Sequence, residues 1–132
     1  MDRKIEEIFV KNFIVKDKRE RTLFELSSDK KRDSIIHRIF GLLDDKYKVF
    51  CEYKINYEEF LSIIKKYADV KKNCYVIADS ADDGQILRLD KAYNNMMFES
   101  GDYFIFYQDN IVIAKEEVIF GSPYKKILVK NV

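Results

Sequence analysis

The spacing of apolar residues divides the first half of the chain into helices. Apolar side chains recur every three to four residues in three segments, a spacing that places them on one face of an α-helix. Ser27, Ser28 and Asp29 precede the third segment and are typical of a helix start. The apolar positions are Ile5, Ile8, Phe9 and Phe13, then Leu23, Phe24 and Leu26, then Ile35, Ile36, Ile39, Phe40 and Leu43.

A different pattern follows between residues 47 and 68. Residues 47–55 alternate imperfectly between apolar and charged side chains, which predicts an edge strand or an extended connection. Asn56 and Glu59 resemble a capping box, in which side chains satisfy the first backbone amides of a helix. The sequence therefore predicts a further amphipathic helix, with Phe60 and Ile64 on its apolar face.

The stretch 73–114 holds the most continuous apolar runs, and we expect the rest of the chain to be arranged around it. Cys74–Ala78 is apolar without alternation, which predicts a central strand covered on both faces. After a turn, a short crossover helix is predicted, with Asp90 as its N-cap and Gly101 just past its end. The apolar positions of this helix are Leu89, Ala92, Tyr93, Met96 and Met97.

The end of the chain predicts β-structure. Segments 103–108 and 111–114 flank Asp109-Asn110, which suits a two-residue hairpin loop that pairs Tyr107 with Val112 and Phe106 with Ile113. Further strands are predicted at 118–120 and 126–129, on either side of a Gly-Ser-Pro-Tyr turn. The whole pattern indicates an α+β fold in which N-terminal helices pack on a mainly antiparallel sheet formed largely by the C-terminal half.

Composition sets limits on this picture. The 132 residues fit a single domain spanning 1–132, and the hydrophobic content of 47% argues against disorder. The net charge of +1 is divided unevenly, because residues 1–48 hold 13 Lys and Arg against 10 Asp and Glu, whereas residues 73–132 hold 6 against 9. The first residues lack the apolar run of a secretory signal, so we expect a cytoplasmic protein without a membrane span.

An acidic group is the sharpest candidate for chemistry. Carboxylates at the carboxyl end of a central strand can bind Mg²⁺, and a neighbouring Lys115 could stabilise charge on a phosphate, as in a metal-dependent nuclease or phosphodiesterase. Ordinary turn and strand-exit chemistry explains the same residues, since no spacing matches a specific metal motif. The acidic candidates are Asp79, Asp82, Asp83, Glu99, Glu116 and Glu117.

A basic cluster is the second candidate, because such a surface could follow the phosphate backbone of a nucleic acid. Acidic residues are interleaved with it and would cancel much of its field through helical ion pairs, so a solvated helix face is the simpler interpretation. The cluster consists of Lys16, Lys18, Arg19, Arg21, Lys30, Lys31, Arg32 and Arg38.

The remaining reactive side chains indicate no cofactor. The sequence has no phosphate-binding loop, Gly-rich dinucleotide turn or Ser elbow. His37 is the only histidine and lies four residues after Asp33, with which it could pair. Cys51 and Cys74 lack a second thiol or a histidine at metal-ligand spacing, which favours two buried thiols.

Two blocks of the sequence resemble a group of small uncharacterised bacterial proteins with the same order of blocks. The first joins Lys18-Arg19-Glu20-Arg21 to Glu25–Arg32, and the second joins Cys74–Ile77 to Asp83-Gly84, Leu89 and Ala92. In that group the hairpin carries a Gly-Lys or Gly-Arg turn, where this chain has Gln108-Asp109-Asn110. The resemblance covers most of the chain and implies no activity.

These observations favour a non-catalytic protein-interaction module over an enzyme, with an inhibitor or immunity-type protein as one form of it. Tyr supplies large, stiff contact area, and a hairpin edge that exposes Tyr103 and Tyr107 would suit a protein partner. Arg19 and Arg32 are further candidate contacts. The alternatives are the metal-dependent nuclease, with Asp79, Asp82, Asp83 and Glu116 as its site, and nucleic-acid binding through the basic helices.

Overall fold

A six-stranded sheet lies at the centre of the structure, a computed structural model that describes residues 1–53, 55–92, 101–116 and 124–130. The strands are β1 Lys48–Glu52, β2 Asn73–Ala78, β3 Ile86–Arg88, β4 Asp102–Phe106, β5 Ile111–Lys115 and β6 Lys125–Val129. Their order is β1-β6-β5-β4-β2-β3, and every neighbouring pair is antiparallel. The prediction of an α+β fold whose sheet comes largely from the C-terminal half is confirmed.

Helices cover both faces of this sheet. They are α1 Arg3–Phe13, α2 Arg19–Leu26, α3 Arg32–Ile36, α4 Ile39–Leu42, α5 Tyr57–Ile64 and α6 Leu89–Ala92, with 3₁₀ turns at Lys16–Lys18 and Asp45–Tyr47. The four N-terminal helices form one core with the sheet, whereas α5 and α6 form a second core on the opposite face. Since burying a large apolar side chain contributes about 1.5–3 kcal/mol, both layers stabilise the sheet.

Strand β2 is buried on both faces, as its unbroken apolar run predicts. Tyr75 and Ile77 point into the core beneath α1–α4, and the alternate residues point into the core beneath α5. On its two edges β2 pairs with β3 and β4. A strand that is covered on both sides needs no polar face, which explains why its sequence does not alternate.

The structure of residues 47–68 also agrees with the prediction of an edge strand followed by a capped helix. Residues 48–52 form the edge strand β1, which pairs with β6 alone among the described strands. The Asn56 side chain accepts a hydrogen bond from the Glu59 backbone amide at 2.8 Å and so caps α5. Phe60 and Ile64 then lie in the second core, as their spacing predicts.

Two of the predicted apolar helix positions face solvent instead of the core. Ile8 on α1 is 40% exposed, and Phe24 on α2 is 62% exposed. The buried stripe of α1 instead includes Glu6, whose carboxylate has an internal partner. Periodicity alone could not separate these positions, because an ion-paired carboxylate can replace an apolar side chain on the buried face.

The third predicted helix is broken in two by a tyrosine from the sheet. A continuous helix would join the Phe40 amide to the Ile36 carbonyl. The Tyr103 hydroxyl lies between these groups, accepting from the amide at 2.9 Å and donating to the carbonyl at 3.2 Å. The insertion of a side chain into the backbone ladder accounts for the separation of α3 from α4.

The β4–β5 hairpin is confirmed, but its predicted loop and register are wrong. The loop has four residues, 107–110, with Asp109 donating its amide to the Phe106 carbonyl at 3.0 Å. A two-residue loop of the predicted kind needs positive φ at both positions, and only Asn110 has it, at 54°. Phe106 therefore pairs with Ile111, two residues from the predicted register, which leaves every side chain on its predicted face.

Helix α6 begins at Leu89, two residues earlier than an N-cap at Asp90 would place it. Asp90 is its second residue and is not an N-cap: its carboxylate pairs with Arg88 and its amide donates to the Val70 carbonyl. The short strand β3, which directly precedes α6, has no counterpart among the predicted elements. The positions Tyr93, Met96 and Met97 and the predicted strand 118–120 lie outside the described residues.

Replacing Tyr103 with Phe should lower the free energy of unfolding by about 1–3 kcal/mol, because the Ile36 carbonyl and the Phe40 amide lose a buried partner. Urea denaturation followed by circular dichroism measures this change. The control, Tyr67→Phe, removes a hydroxyl from an exposed side chain and should change stability by less than about 0.5 kcal/mol. Equal effects of both substitutions would contradict the bridging role.

Candidate functional site

A buried ion-pair network joins the helices to the sheet. Arg32 on α3 donates to both carboxylate oxygens of Glu6, at 2.8 Å each, and to both of Asp83, at 2.7 and 2.9 Å. Its remaining N–H bonds the Leu26 carbonyl at 2.9 Å. All five donors of the guanidinium are therefore used, and the Arg32 side chain is only 8% exposed.

Tyr75 extends the network to strand β2. Its hydroxyl donates to Glu6 at 2.6 Å and accepts the Asp2 amide at 3.0 Å. Burial raises the pKa of Tyr75, and the hydrogen bond to Glu6 raises it further. For Arg32 burial lowers the pKa, but the hydrogen bonds that it donates to Asp83 and Glu6 outweigh burial, so the pKa lies above its ordinary value. Arg32 therefore stays charged and Tyr75 stays neutral at neutral pH.

Two of the acidic candidates, Asp83 and Asp79, already have side-chain partners. The Asp83 carboxylate binds Arg32 and also accepts the Ala78 amide at 3.2 Å, so a metal ion would have to displace both. Asp79 lies 3.3 Å from His37 Nε2, so this carboxylate also has a side-chain partner. Within the described residues, no three His, Cys, Asp or Glu side chains are placed to hold a metal ion. Of the other candidates, Glu116 accepts the Tyr124 amide at 3.5 Å, Asp82 lies in the same turn as Asp83, and Glu99 and Glu117 lie outside the described residues.

A second set of buried charges lies beneath α5. Lys115, predicted as a neighbour of exposed carboxylates, is fully buried with its Nζ 3.8 Å from Asp102. On the next strand, Lys125 donates to the Ile55 carbonyl at 3.1 Å and lies over the Tyr57 ring. Burial lowers the pKa of Lys125 and, together with the nearby Asp102 charge, raises that of Tyr57. These contacts tie the start of α5 to the sheet.

The thiols behave as structural groups. Cys74 is buried, as predicted, and burial raises its pKa to about 12, so it remains protonated at neutral pH. Cys51 is only half-buried, because it lies on the edge strand β1. Both are free cysteines.

The predicted tyrosine surface on the hairpin is wrong. β4 and β5 are interior strands, so the hairpin offers no sheet edge, and Tyr103 is only 1% exposed. Tyr107 is half-buried against the first core. Exposed tyrosines lie instead beside β1, where the Tyr53 and Tyr124 rings are 5.3 Å apart. The central position of the hairpin could not be read from its own sequence, because strand order depends on distant segments.

The basic cluster is also divided. Arg32 is buried in the network, so its predicted role as a contact residue is wrong. Arg19 is half-buried and donates to the Ile14 carbonyl at 2.8 Å. Arg21 and Arg38 both bind the buried carboxylate of Glu25, the first through Nε at 2.8 Å and the second through Nη2. Because these arginines have partners within the protein, they do not form a continuous basic surface along which a phosphate backbone could bind.

A pocket lies beside this Glu25 clamp, between α2 and the α3–α4 segment, with a volume of about 130 Å³. Thr22 and Glu25 lie on one stripe of α2, and Lys18 lies in the 3₁₀ turn just before it. Ile35, Arg38 and Leu42 follow one stripe of the opposite segment. The hydrogen bond from Arg21 lowers the pKa of Glu25, burial opposes it, and the Arg38 charge lowers it further. The pocket therefore keeps its carboxylate ionised at neutral pH.

An open groove lies on another face of α2, with a volume of about 590 Å³. Phe24 is its largest apolar side chain, and Lys31 Nζ lies 5.2 Å from the centre of the Phe24 ring. The groove is lined by Arg3, Asp17, Glu20, Arg21, Leu23 and Phe24. The apolar spacing that predicted the helix gave no sign of this groove, because Phe24 was counted with the core.

Comparisons with protein-family models, with curated proteins and with solved structures find no match to this chain. Its function is therefore inferred from the geometry of its own side chains. Across residues 1–53, 55–92, 101–116 and 124–130, no helix is long and apolar enough to cross a membrane.

Replacing Arg32 with Gln should lower the free energy of unfolding by about 3–5 kcal/mol, because the buried carboxylate of Glu6 and the partly buried carboxylate of Asp83 would lose their cation. Adding Glu6→Gln and Asp83→Asn should recover part of this loss. Arg3→Gln is the control: its exposed pair with Glu7 contributes less than about 1 kcal/mol. Chemical denaturation of the four proteins measures the differences, and a mild effect of Arg32→Gln would contradict the network's role.

Replacing Glu25 with Gln should lower stability by roughly 1 kcal/mol at neutral pH, since water screens its largely exposed arginine partners. The pKa of Glu25 is lower in the folded state, so its contribution is present above the unfolded-state pKa of about 4.3 and is lost as pH falls through the folded pKa. The difference between the two proteins should therefore shrink in acid. Thermal unfolding of both proteins at several pH values measures this change, and a difference that stays constant in acid would contradict the role of the ion pairs.

Proposed function

We propose that this protein is a non-catalytic module that binds another protein, and that Phe24 on α2 is the central contact. The supporting observation is that Phe24 is 62% exposed beside the open groove, although the chain buries most of its other phenylalanines among the described residues. Exposing an aromatic ring forgoes the stabilisation of about 1.5–3 kcal/mol that burial would give. A partner that covers the ring would recover that free energy as affinity.

The surroundings of Phe24 have the composition of a protein interface. Leu23 lies beside it, and charges of both signs form the rim, with Arg3 and Arg21 against Asp17 and Glu20. Interfaces combine an apolar or aromatic centre with a polar rim that excludes water. The balanced rim favours a protein segment that carries both charge signs around one apolar side chain over a strongly acidic ligand such as nucleic acid.

An inhibitor or immunity-type protein is the form of module that we favour. Such a protein needs a stable scaffold and one docking face, and it needs no catalytic residues of its own. The contacts described above support this choice, because Asp83 and Asp79 are engaged by Arg32 and His37. A metal-dependent nuclease would require those carboxylates to leave their partners.

Site-specific photocrosslinking tests the proposal in the native cell. A photoreactive phenylalanine at position 24 should capture one protein at stoichiometric yield, whereas the same residue at Ile86, exposed on the edge strand β3, should not. The captured partner is then purified, and its affinity is measured by calorimetry. If that partner is an enzyme, inhibition of its activity by this protein supports the inhibitor form.

Phe24→Ala should weaken binding to that partner at least tenfold, as expected for a central aromatic contact. Ile86→Ala is the matched control and should leave affinity unchanged. Both variants should keep their stability within about 0.5 kcal/mol, because both side chains are exposed. Unchanged affinity in Phe24→Ala, or equal capture from both positions, would reject α2 as the docking face.

A further inference from the structure

We infer that the pocket between α2 and the α3–α4 segment binds a small oxyanion of the phosphate type. Arg21 borders both this pocket and the Phe24 groove, but Phe24 lies outside the pocket, and the inference does not depend on the proposed protein partner. Its volume of about 130 Å³ is close to that of cavities of roughly 150 Å³ that accept a single small molecule. It is well below the roughly 300–1,000 Å³ typical of larger ligands, so it suits one anionic group.

The charges around the pocket favour an anion. Lys18, Arg21 and Arg38 line it together with one carboxylate, Glu25, so three cations against one anion leave a formal charge of +2. A cation or a neutral apolar ligand would gain nothing from this excess. An oxyanion would gain charge-assisted hydrogen bonds, which are about twice as strong as those between neutral groups.

The arginines retain donors for a second anion. Arg21 binds Glu25 through Nε, and Arg38 binds it through Nη2 while its Nε reaches the Ser34 carbonyl at 3.4 Å. A guanidinium carries five N–H donors, so each arginine keeps at least three for another partner. Glu25 also holds both guanidinium groups in place, which reduces the entropy that a ligand would lose by ordering them.

Thr22 adds a hydroxyl donor to the pocket. It is one of the lining residues, and the residue as a whole is only 1% exposed. A phosphate oxygen in the pocket would accept a hydrogen bond from this hydroxyl. Ile35 and Leu42 form the apolar part of the lining.

Titration with inorganic phosphate at constant ionic strength, followed by amide NMR shifts, tests the inference. Wild-type protein should show saturable shifts that centre on residues 18–25 and 35–42, beyond those produced by chloride. Thr22→Val should weaken binding roughly tenfold through loss of one charge-assisted hydrogen bond. The stability of the same variant should be close to that of the wild type, whereas a hydroxyl with a structural role would leave it less stable.

Lys18→Gln is a second variant that leaves the Glu25 clamp intact. It should weaken phosphate binding roughly two- to fivefold, the range expected for one partly exposed charge. Lys16→Gln, in the same 3₁₀ turn but outside the pocket, is the control for net charge and should have no effect. Equal effects of the two lysine variants, unchanged affinity in Thr22→Val, or shifts no larger than those with chloride would overturn the inference.

Two further titrations identify the source of the anion and separate this site from the protein-docking face. Tighter binding of glycerol 3-phosphate than of inorganic phosphate would assign a phosphomonoester, and equal or weaker binding would assign the free ion. A third outcome is that an oligonucleotide binds while inorganic phosphate does not. If its affinity is the same for the wild type and for Thr22→Val, the inference that the pocket binds the anion is wrong. Phe24→Ala should bind phosphate normally, so either proposal can fail without the other.

Discussion

The arrangement of this protein depends on the guanidinium of Arg32, which bonds two carboxylates along adjacent edges, with Nη2 donating to both. Glu6 lies 26 residues away along the chain and Asp83 lies 51 residues away, so the three groups meet only when α1, α3 and the turn after β2 are all in place. Any other packing of the helices on the sheet would leave at least one buried charge unpaired, at a cost of several kcal/mol. Apolar residues in place of these ion pairs could stabilise the folded protein equally well, but they would not disfavour misplaced helices in the same way.

Two tyrosines of the sheet complete the attachment of the helical layer. Tyr75 reaches the start of α1 through Glu6 and the Asp2 amide, and Tyr103 reaches the break between α3 and α4. Both rings lie in the first core while their hydroxyls satisfy polar groups that would otherwise be buried without partners. The tyrosine content, which the sequence suggested for an interface, therefore serves in these two cases to fix helices on the sheet.

The sequence predicts the helices and strands of the fold better than it predicts the contacts between them. Apolar spacing locates the N-terminal helices and α5, the two-sided strand β2 and the hairpin, because burial on a face imposes a period on each. It does not show that Arg32 is internal, because an arginine among charged residues has the same local pattern whether its partners are neighbours or lie 51 residues away. The hairpin register and the α3–α4 break likewise depend on one backbone angle at Asn110 and on a hydroxyl from a distant strand.

Helix α2 borders both candidate binding surfaces because only a few of its residues are needed to attach it to the core. Leu26 and the buried part of Leu23 attach α2 to the core, and the ion-pair network needs only the Leu26 carbonyl from it. Phe24 and Lys18 contribute little to either attachment, so their chemistry can change without loss of the fold. A rigid scaffold that leaves one helix face free of structural duty is the usual setting for binding residues. An exposed aromatic ring on one side of that helix and a pocket with an excess of positive charge on another are the features on which the two proposed binding sites rest.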